Sequence, residues 1–205
     1  QVLLHAHLTT EMIDDALQDG DEALDIIKDL DDKRMEMNLL HLLSWAHVRK
    51  NNPEKAIQCL EDAVILAHDL EDVEEEAIAK HRIGAIHLEQ LDDHDLKRAI
   101  VRSQEARNLY KRADLKGAEG SALLTKAFAQ FNKGNSNDAL ATAEEAQELF
   151  AQDGLHMGQD EALRIIAEVH DIEARHDLAV RAAEQRRKLW ERLENKSRES
   201  LALHQ

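Results

Sequence analysis

"NNPEKAIQCLEDAVILAHDLED", residues 51–72, holds the chain's only proline and closes on a run of acid. Its first residues read as a helix start. Asn52 stands at the N-cap, Pro53 at the first helical position, and Glu54 near the positive end of the helix dipole. Ile57, Leu60, Ala63, Val64 and Ala67 then recur near a 3.6-residue period, leaving Glu61, Asp62 and Asp69 on the other side. The stretch predicts an amphipathic helix with one packed face and one wet face.

Upstream, Leu39, Leu40, Leu42, Leu43 and Ala46 give the preceding helix an apolar surface too wide for a lone surface helix, so it must be covered on more than one side. The pair reads as a helical hairpin, and the hairpin recurs. Ala56 has equivalents at Ala23, Ala99, Ala139 and Ala179, at intervals of 33, 43, 40 and 40 residues. Leucines at Leu30, Leu70, Leu115 and Leu155 close the units at intervals of 40, 45 and 40. Two landmarks with one period define an internal repeat. The helix-start signal is renewed at Gly20 with Asp21, Asp93 to Asp95, Asn135 to Asp138, and His176 with Asp177, so proline is one solution among several. The third unit carries about three extra residues in "LEQLDDHDLKR", read as a longer surface loop, and the first unit a shortened second helix.

Hairpins of this length with a small residue early in the second helix resemble the tetratricopeptide repeat (TPR). "NNPEKAIQCLEDAVILA" is similar to the start of a TPR second helix, and "HRIGAIHLE" puts Gly84 where the family has a small residue in its first helix. The longer period resembles the extended repeats of kinesin light chain and bacterial regulatory TPR proteins. The sequence departs from the family at the aromatic late in the first helix, replaced by His47, His87, Gln130 and His170. It departs also at the second-helix aromatic, replaced by Leu60, Ser103, Ala143 and Ala183. Other α-solenoids remain the alternative. The resemblance implies an all-α, right-handed superhelix of about five TPR-like hairpins. It would form one repeat domain over 1–205, with units near 3–34, 35–72, 73–117, 118–157 and 158–195 and a C-terminal capping extension over 183–205.

Bulk composition narrows the function. Acidic residues outnumber basic ones 42 to 26, a formal net charge of -16 that disfavours nucleic acid or an anionic membrane surface as main partner. A basic or neutral polypeptide fits better. Aromatics make up only 3% of the residues, and with few β-branched runs the balance favours helix over sheet. Cys59 is the only cysteine, so no intrachain disulfide forms. No apolar run approaches a membrane span, and no apolar signal core opens the chain. The first residue is Gln1 rather than methionine, the pattern of a processed product or a segment of a longer protein. That leaves the compartment open between the cytoplasm and an organelle reached through a lost targeting segment.

Twelve histidines raise the question of metal. His41 with His47, His81 with His87, and His170 with His176 are each six apart, which places each pair on different helix faces, and no HExxH or Cys/His cluster occurs. Buried, hydrogen-bonded histidines at His47, His87 and His170 are the expectation, with no metal and no cofactor. No carboxylate pair sits in an apolar context and no serine in a nucleophile elbow, so the chain is read as non-catalytic.

Surface remains. In a TPR-like superhelix the first-helix residues one step off the packing positions line a concave groove. By register these are His5, Leu8 and Met12 in the first unit, His41, Trp45 and Arg49 in the second, His81 and Leu88 in the third, Leu124, Phe128 and Phe131 in the fourth, and Arg164 in the fifth. Trp45, Phe128 and Phe131 suit an extended peptide or a partner helix, with packing between repeats as the alternative use. The slots that would form a carboxylate clamp hold Leu8, Met12, His41 and Trp45 instead, which argues against a chaperone-tail receptor. Charge concentrates at the ends, with Asp14, Asp15 and Asp19 near one and Arg186, Arg187 and Lys188 near the other. Solvated helix faces account for this pattern, and docking of the ends on partners or on another copy is the sharper alternative. Trp190 is expected to cover the end of the core. The function read from the sequence is a scaffold binding other proteins. The alternatives are a structural subunit of a large assembly, organellar ones included, and a peptide-responsive regulatory sensor.

Overall fold

A computed structural model describes the backbone of residues 2–203 and the side chains of residues 12–194. Among the described residues the chain is helical throughout: α1 (Val2–Asp29), α2 (Lys33–Arg49), α3 (Pro53–Asp69), α4 (Val73–Gln90), α5 (Asp93–Arg112), α6 (Lys116–Asn132), α7 (Ser136–Asp153), α8 (His156–Ile172) and α9 (His176–Leu203). Each helix packs against the next, so α2/α3, α4/α5, α6/α7 and α8/α9 stack as four hairpins behind α1. Among the described residues no helix is long and apolar enough to cross a membrane.

The helix ends share one design. Residues with positive φ stand at Asp31, Asn51, Glu71, Leu91, Asp114, Gly134, Gly154 and Ala174, one per connection, 20 apart except for 23 between Leu91 and Asp114. At six of the eight connections the amide after the left-handed residue bonds back five residues, as in Asn52 N to His47 O at 2.9 Å, Leu115 N to Tyr110 O at 3.0 Å and Arg175 N to His170 O at 2.8 Å. This is the Schellman closure, which satisfies the last carbonyls of one helix and hands the chain at once to the next. Asp32, Asp72 and Asp92 then accept from amides of the first turn, those of Met35, Glu75 and both His94 and Asp95. Asn52 occupies the N-cap without a side-chain bond, leaving Pro53 to remove one orphan donor. Leu115 and Leu155 also hold N-cap positions, whereas Leu70 is a C-cap. The leucine landmarks therefore mixed two sites.

Two expectations change. The first unit is not a hairpin, because α1 runs unbroken through Gly20 and Asp21. Gly20 serves close packing instead: a Cβ there would meet Leu43 Cδ2 at 2.5 Å. Counted back from Asp31, the equivalent of Ala56 is Ala16 and that of Ala63 is Ala23, which replaces the odd interval of 33 with 40. The extra residues of the third unit form no long loop either. Asp92 caps the helix early, only Leu91 and Asp92 connect α4 to α5, and the addition lengthens α5 to 20 residues.

The core is a row of small clusters between helices. Met37, Leu40, Leu60 and Ile83 fill one, and Leu163, Ile165, Ile166 and Val169 another. Alanines at Ala56, Ala63, Ala99, Ala106, Ala139 and Ala146 are fully buried and set the helix spacing. Gly84 likewise lets α4 and α5 approach closely, since a Cβ would lie 2.8 Å from Ser103 Oγ and 3.3 Å from Ser103 N.

The turns give a direct test of backbone cost. Nothing lies within 4 Å of a Cβ built on Gly134, so Gly134→Ala changes only the left-handed backbone. It should lower unfolding free energy by about 1 kcal/mol, while Ala174→Gly, at φ 55, should raise it by about as much. Urea denaturation of the two variants beside the parent chain reads both signs.

Candidate functional site

The first helices α4 and α6 touch each other, as do α6 and α8, with no comparable contact between α5 and α7. The stack is therefore tighter on the first-helix side, which makes that side the inner one. Three joints run along it. Arg82 Nη1 on α4 donates to His41 Nδ1 on α2 at 3.3 Å, leaving the ring proton on Nε2, 3.4 Å from Glu75 Oε2 but not aligned as a hydrogen bond. His81 Nε2 on α4 meets Thr125 Oγ1 on α6 at 3.0 Å, and the Thr125 hydroxyl donates onward to Ser121 O at 3.3 Å. The guanidinium of Arg164 on α8 lies 4.9 Å from the Phe128 ring centre on α6 and is gripped by Glu161 and Glu168.

The residues expected to line a groove thus divide by environment. His41, His81, Phe128 and Arg164 join consecutive first helices. Phe131 and Leu124 pack against the α8 cluster, and Leu88 against that of Leu96, Ala99 and Ala129, all three keeping part of their surface. Trp45 is 61% exposed, and Arg49 sits over its ring at 5.6 Å. Side chains of His5 and Leu8 lie outside the described residues, and Met12 is exposed.

At the charged ends, several candidates are already engaged. Asp14 pairs with Lys50, and Arg187 with Glu191 on its own helix at 3.0 Å. Arg186 binds Asp160 through Nε and Nη2 at 3.0 and 2.8 Å, and the Trp190 indole N–H donates to the same carboxylate at 2.8 Å. Trp190 therefore latches α9 to α8 through its polar edge, and its ring stays 42% exposed. Hydrogen bonding from Arg186 comes first among the causes that hold Asp160 below the usual carboxylate range. Asp15, Asp19 and Lys188 are exposed. The basic run on α9 is also interleaved with Glu184, Glu191 and Glu194.

His47, His87 and His170 are buried in equivalent slots, together with Gln130. Only part of the expected hydrogen bonding appears: His87 Nδ1 donates to Asp95 Oδ1 at 2.7 Å, whereas the Nδ1 atoms of His47 and His170 have no partner. Among the described residues no group of three His, Cys, Asp or Glu side chains is placed to hold a metal ion.

No protein-family model matches the chain, and no curated protein matches it in sequence. Solved structures do match in fold. BtubC (BKLC) from P. vanneervenii superposes with a TM-score of 0.76 at 16% identity, over 89% of this chain and 74% of that one. The apo form of RapI gives 0.80 at 10% identity, covering 87% of this chain and 49% of RapI. A putative kinesin light chain from Podosopora anserina with nearly identical TPR-like repeats gives 0.72 at 14% identity, over 94% and 93%. The chain has a TPR-like repeat fold. Within it, two signals could have marked the joints in sequence: His41 and Arg82, and His81 and Thr125, are separated by 41 and 44 residues, near one repeat.

Burial lowers the pKa of His41 to about 4, with Arg82 adding to the effect, and burial also lowers His47, His81, His87 and His170. These rings are held neutral in the fold, so below the ordinary value of 6.5 the unfolded chain binds more protons. Their contribution is whole above pH 6.5 and drains as pH falls toward 4. The carboxylates Asp72, Asp93 and Asp160 act in a lower window, contributing above 3.8 and failing below it. The urea midpoint should therefore start to fall near pH 6.5, with His41→Gln giving a shallower decline. A midpoint flat from pH 7 down to about 4.5 would contradict this assignment.

Proposed function

We propose that the chain is a non-catalytic protein-interaction scaffold that receives an extended peptide or a helix of a partner protein along the face of α2, α4, α6 and α8. The observation that carries this reading is the pair of arginine-backed aromatic rings on that face. Trp45 with Arg49 stands near one end and Phe128 with Arg164 toward the other, both rings keeping surface to solvent. Large aromatic groups held by a cation and by packing lose little freedom when they anchor an apolar partner side chain. Between them, the exposed guanidinium of Arg82 offers donors that a peptide carbonyl can meet. The net charge of -16 favours a basic or neutral partner over nucleic acid.

The alternative, a structural subunit held by charged ends, draws less support because Asp14, Arg186 and Arg187 already have intramolecular partners.

Crosslinking mass spectrometry on complexes captured from native extract tests the reading, with Trp45→Ala and Phe128→Ala compared with the parent chain. Trp45→Ala is the safer variant, since its ring is mostly exposed and its loss should leave the melting temperature in place. The expected result is crosslinks along the first helices, and at least roughly tenfold weaker capture in both variants. Undiminished capture by both, or crosslinks confined to the second helices, would sink the proposal.

A further inference from the structure

Among the described residues α1 packs as a second helix with no first helix beside it. Residues 13–29 of α1 occupy the place of a second helix, packing Leu17, Gly20, Leu24 and Ile27 toward α2 as α3 packs toward α4. No first helix stands beside them among the described residues, because α1 continues straight through the position where a turn would connect one.

Burial at equivalent positions records the vacancy on both helices. Ala56, Ala99 and Ala139 are fully buried, but their equivalent Ala16 is exposed. Ala63, Ala106 and Ala146 are fully buried, but Ala23 is only half-buried. On α2, Leu39 is partly exposed where Ala79, Ala122 and Ala162 show no exposure. Met35 and Leu42 correspond to Glu75 and Arg82, the residues of α4 that reach back to α2. Here they are large apolar groups, 50% and 66% exposed. On the side of α1 next to the α2 contact, Met12, Ala16, Ala23 and Ile26 recur at helical spacing with the exposed Asp19 among them, Leu30 follows just past the helix end, and Ile26 is 62% exposed. These faces of α1 and α2 border the place that a first helix holds in the later hairpins.

The charge beside it selects the occupant. From residue 12 to 29, α1 carries Asp14, Asp15, Asp19, Asp21, Glu22, Asp25 and Asp29 against Lys28 alone. A second copy meeting this end with its own would bring like charges together. We propose that the α1/α2 end is a docking site for a basic amphipathic helix of a partner protein, which takes the place of the absent first helix. Its apolar stripe meets Ile26 and Leu42, and its Lys or Arg flank meets the acidic side of α1. This surface shares α2 with the inner face but uses Met35, Leu39 and Leu42 rather than Trp45.

The probe is a fluorescein-labelled synthetic helix of about 18 residues, with Leu and Ala at i, i+3, i+4 and i+7 and Lys at the flanks, followed by anisotropy with the full chain. A second peptide has Glu in place of Lys. Saturable binding of the Lys peptide is expected, at least roughly tenfold weaker for the Glu peptide and for the Ile26→Gln, Leu42→Gln double variant. Both substituted side chains are more than 60% exposed, so the double variant should melt with the parent chain. Phe128→Ala should bind the peptide unchanged, which separates this site from the inner face. The proposal is overturned by no saturation below about 100 µM, by equal affinity for the two peptides, or by full binding to the double variant. It is likewise overturned if Phe128→Ala abolishes binding, or if the parent chain sediments as a dimer that the double variant dissolves, since a second copy would then own the face.

Discussion

The stack depends on how each helix ends. A left-handed residue about every 20 positions, closed at six of eight connections by a bond from the following amide five residues back, leaves two or three residues between helices. Connections that short force neighbouring helices to be antiparallel and adjacent, so the amphipathic faces have one place to go. Six of the eight left-handed residues are not glycine, each costing something like 1 kcal/mol or more. The fold tolerates that cost because the same turn satisfies the helix-end carbonyls and starts the next cap.

Once spacing is set, contacts between repeats follow at the repeat length. Lys33 meets Asp69, Arg34 meets Asp72, Lys133 meets Asp93 and His81 meets Thr125, at separations of 36 to 44 residues. On the outer side Arg102 joins α5 to Glu61 of α3, and Arg107 joins α5 to Glu145 of α7. Exposed pairs of this kind contribute little singly. Their regular placement still fixes how each hairpin sits on the next. Arg107 differs in that it also holds Glu119, which is 6% exposed and would otherwise be a buried charge without a counterion.

Much of this was legible in sequence because it is written in periodicity. The buried alanines and the Asp and Pro helix starts gave the helices from α2 onward and the stacking of hairpins. What failed was local. "DGDEA" reads as a turn, yet Gly20 is there to let α1 approach Leu43, a tertiary reason that no window of sequence contains. Ala23 was matched to Ala56 because alanines seven apart look alike, and only the turn at Asp31 shows that Ala16 is the true equivalent. Of the candidate site, the face was readable and the environments were not. Whether Phe128 packs or faces solvent depends on Arg164 in the next hairpin, and whether Arg186 is available depends on Asp160.

The two ends of the described stack differ. A solenoid must cover its last apolar face or leave it to a partner. At the far end α9 covers α8: Arg181, Glu184, Gln185, Lys188, Glu191 and Arg192 are exposed together with Val180, and the carboxylate of Asp160 ties Arg186 and Trp190 back onto α8. At the near end the residues turned outward are Ile26, Leu30, Met35 and Leu42, between 50% and 68% exposed and bordered by acid. Glu75 and Arg82 stand at the α4 equivalents of Met35 and Leu42, and there they reach back to His41 of α2. Apolar side chains in that register make sense as half of an interface. The acid around them would repel the same end of a second copy and favour a helix of opposite charge.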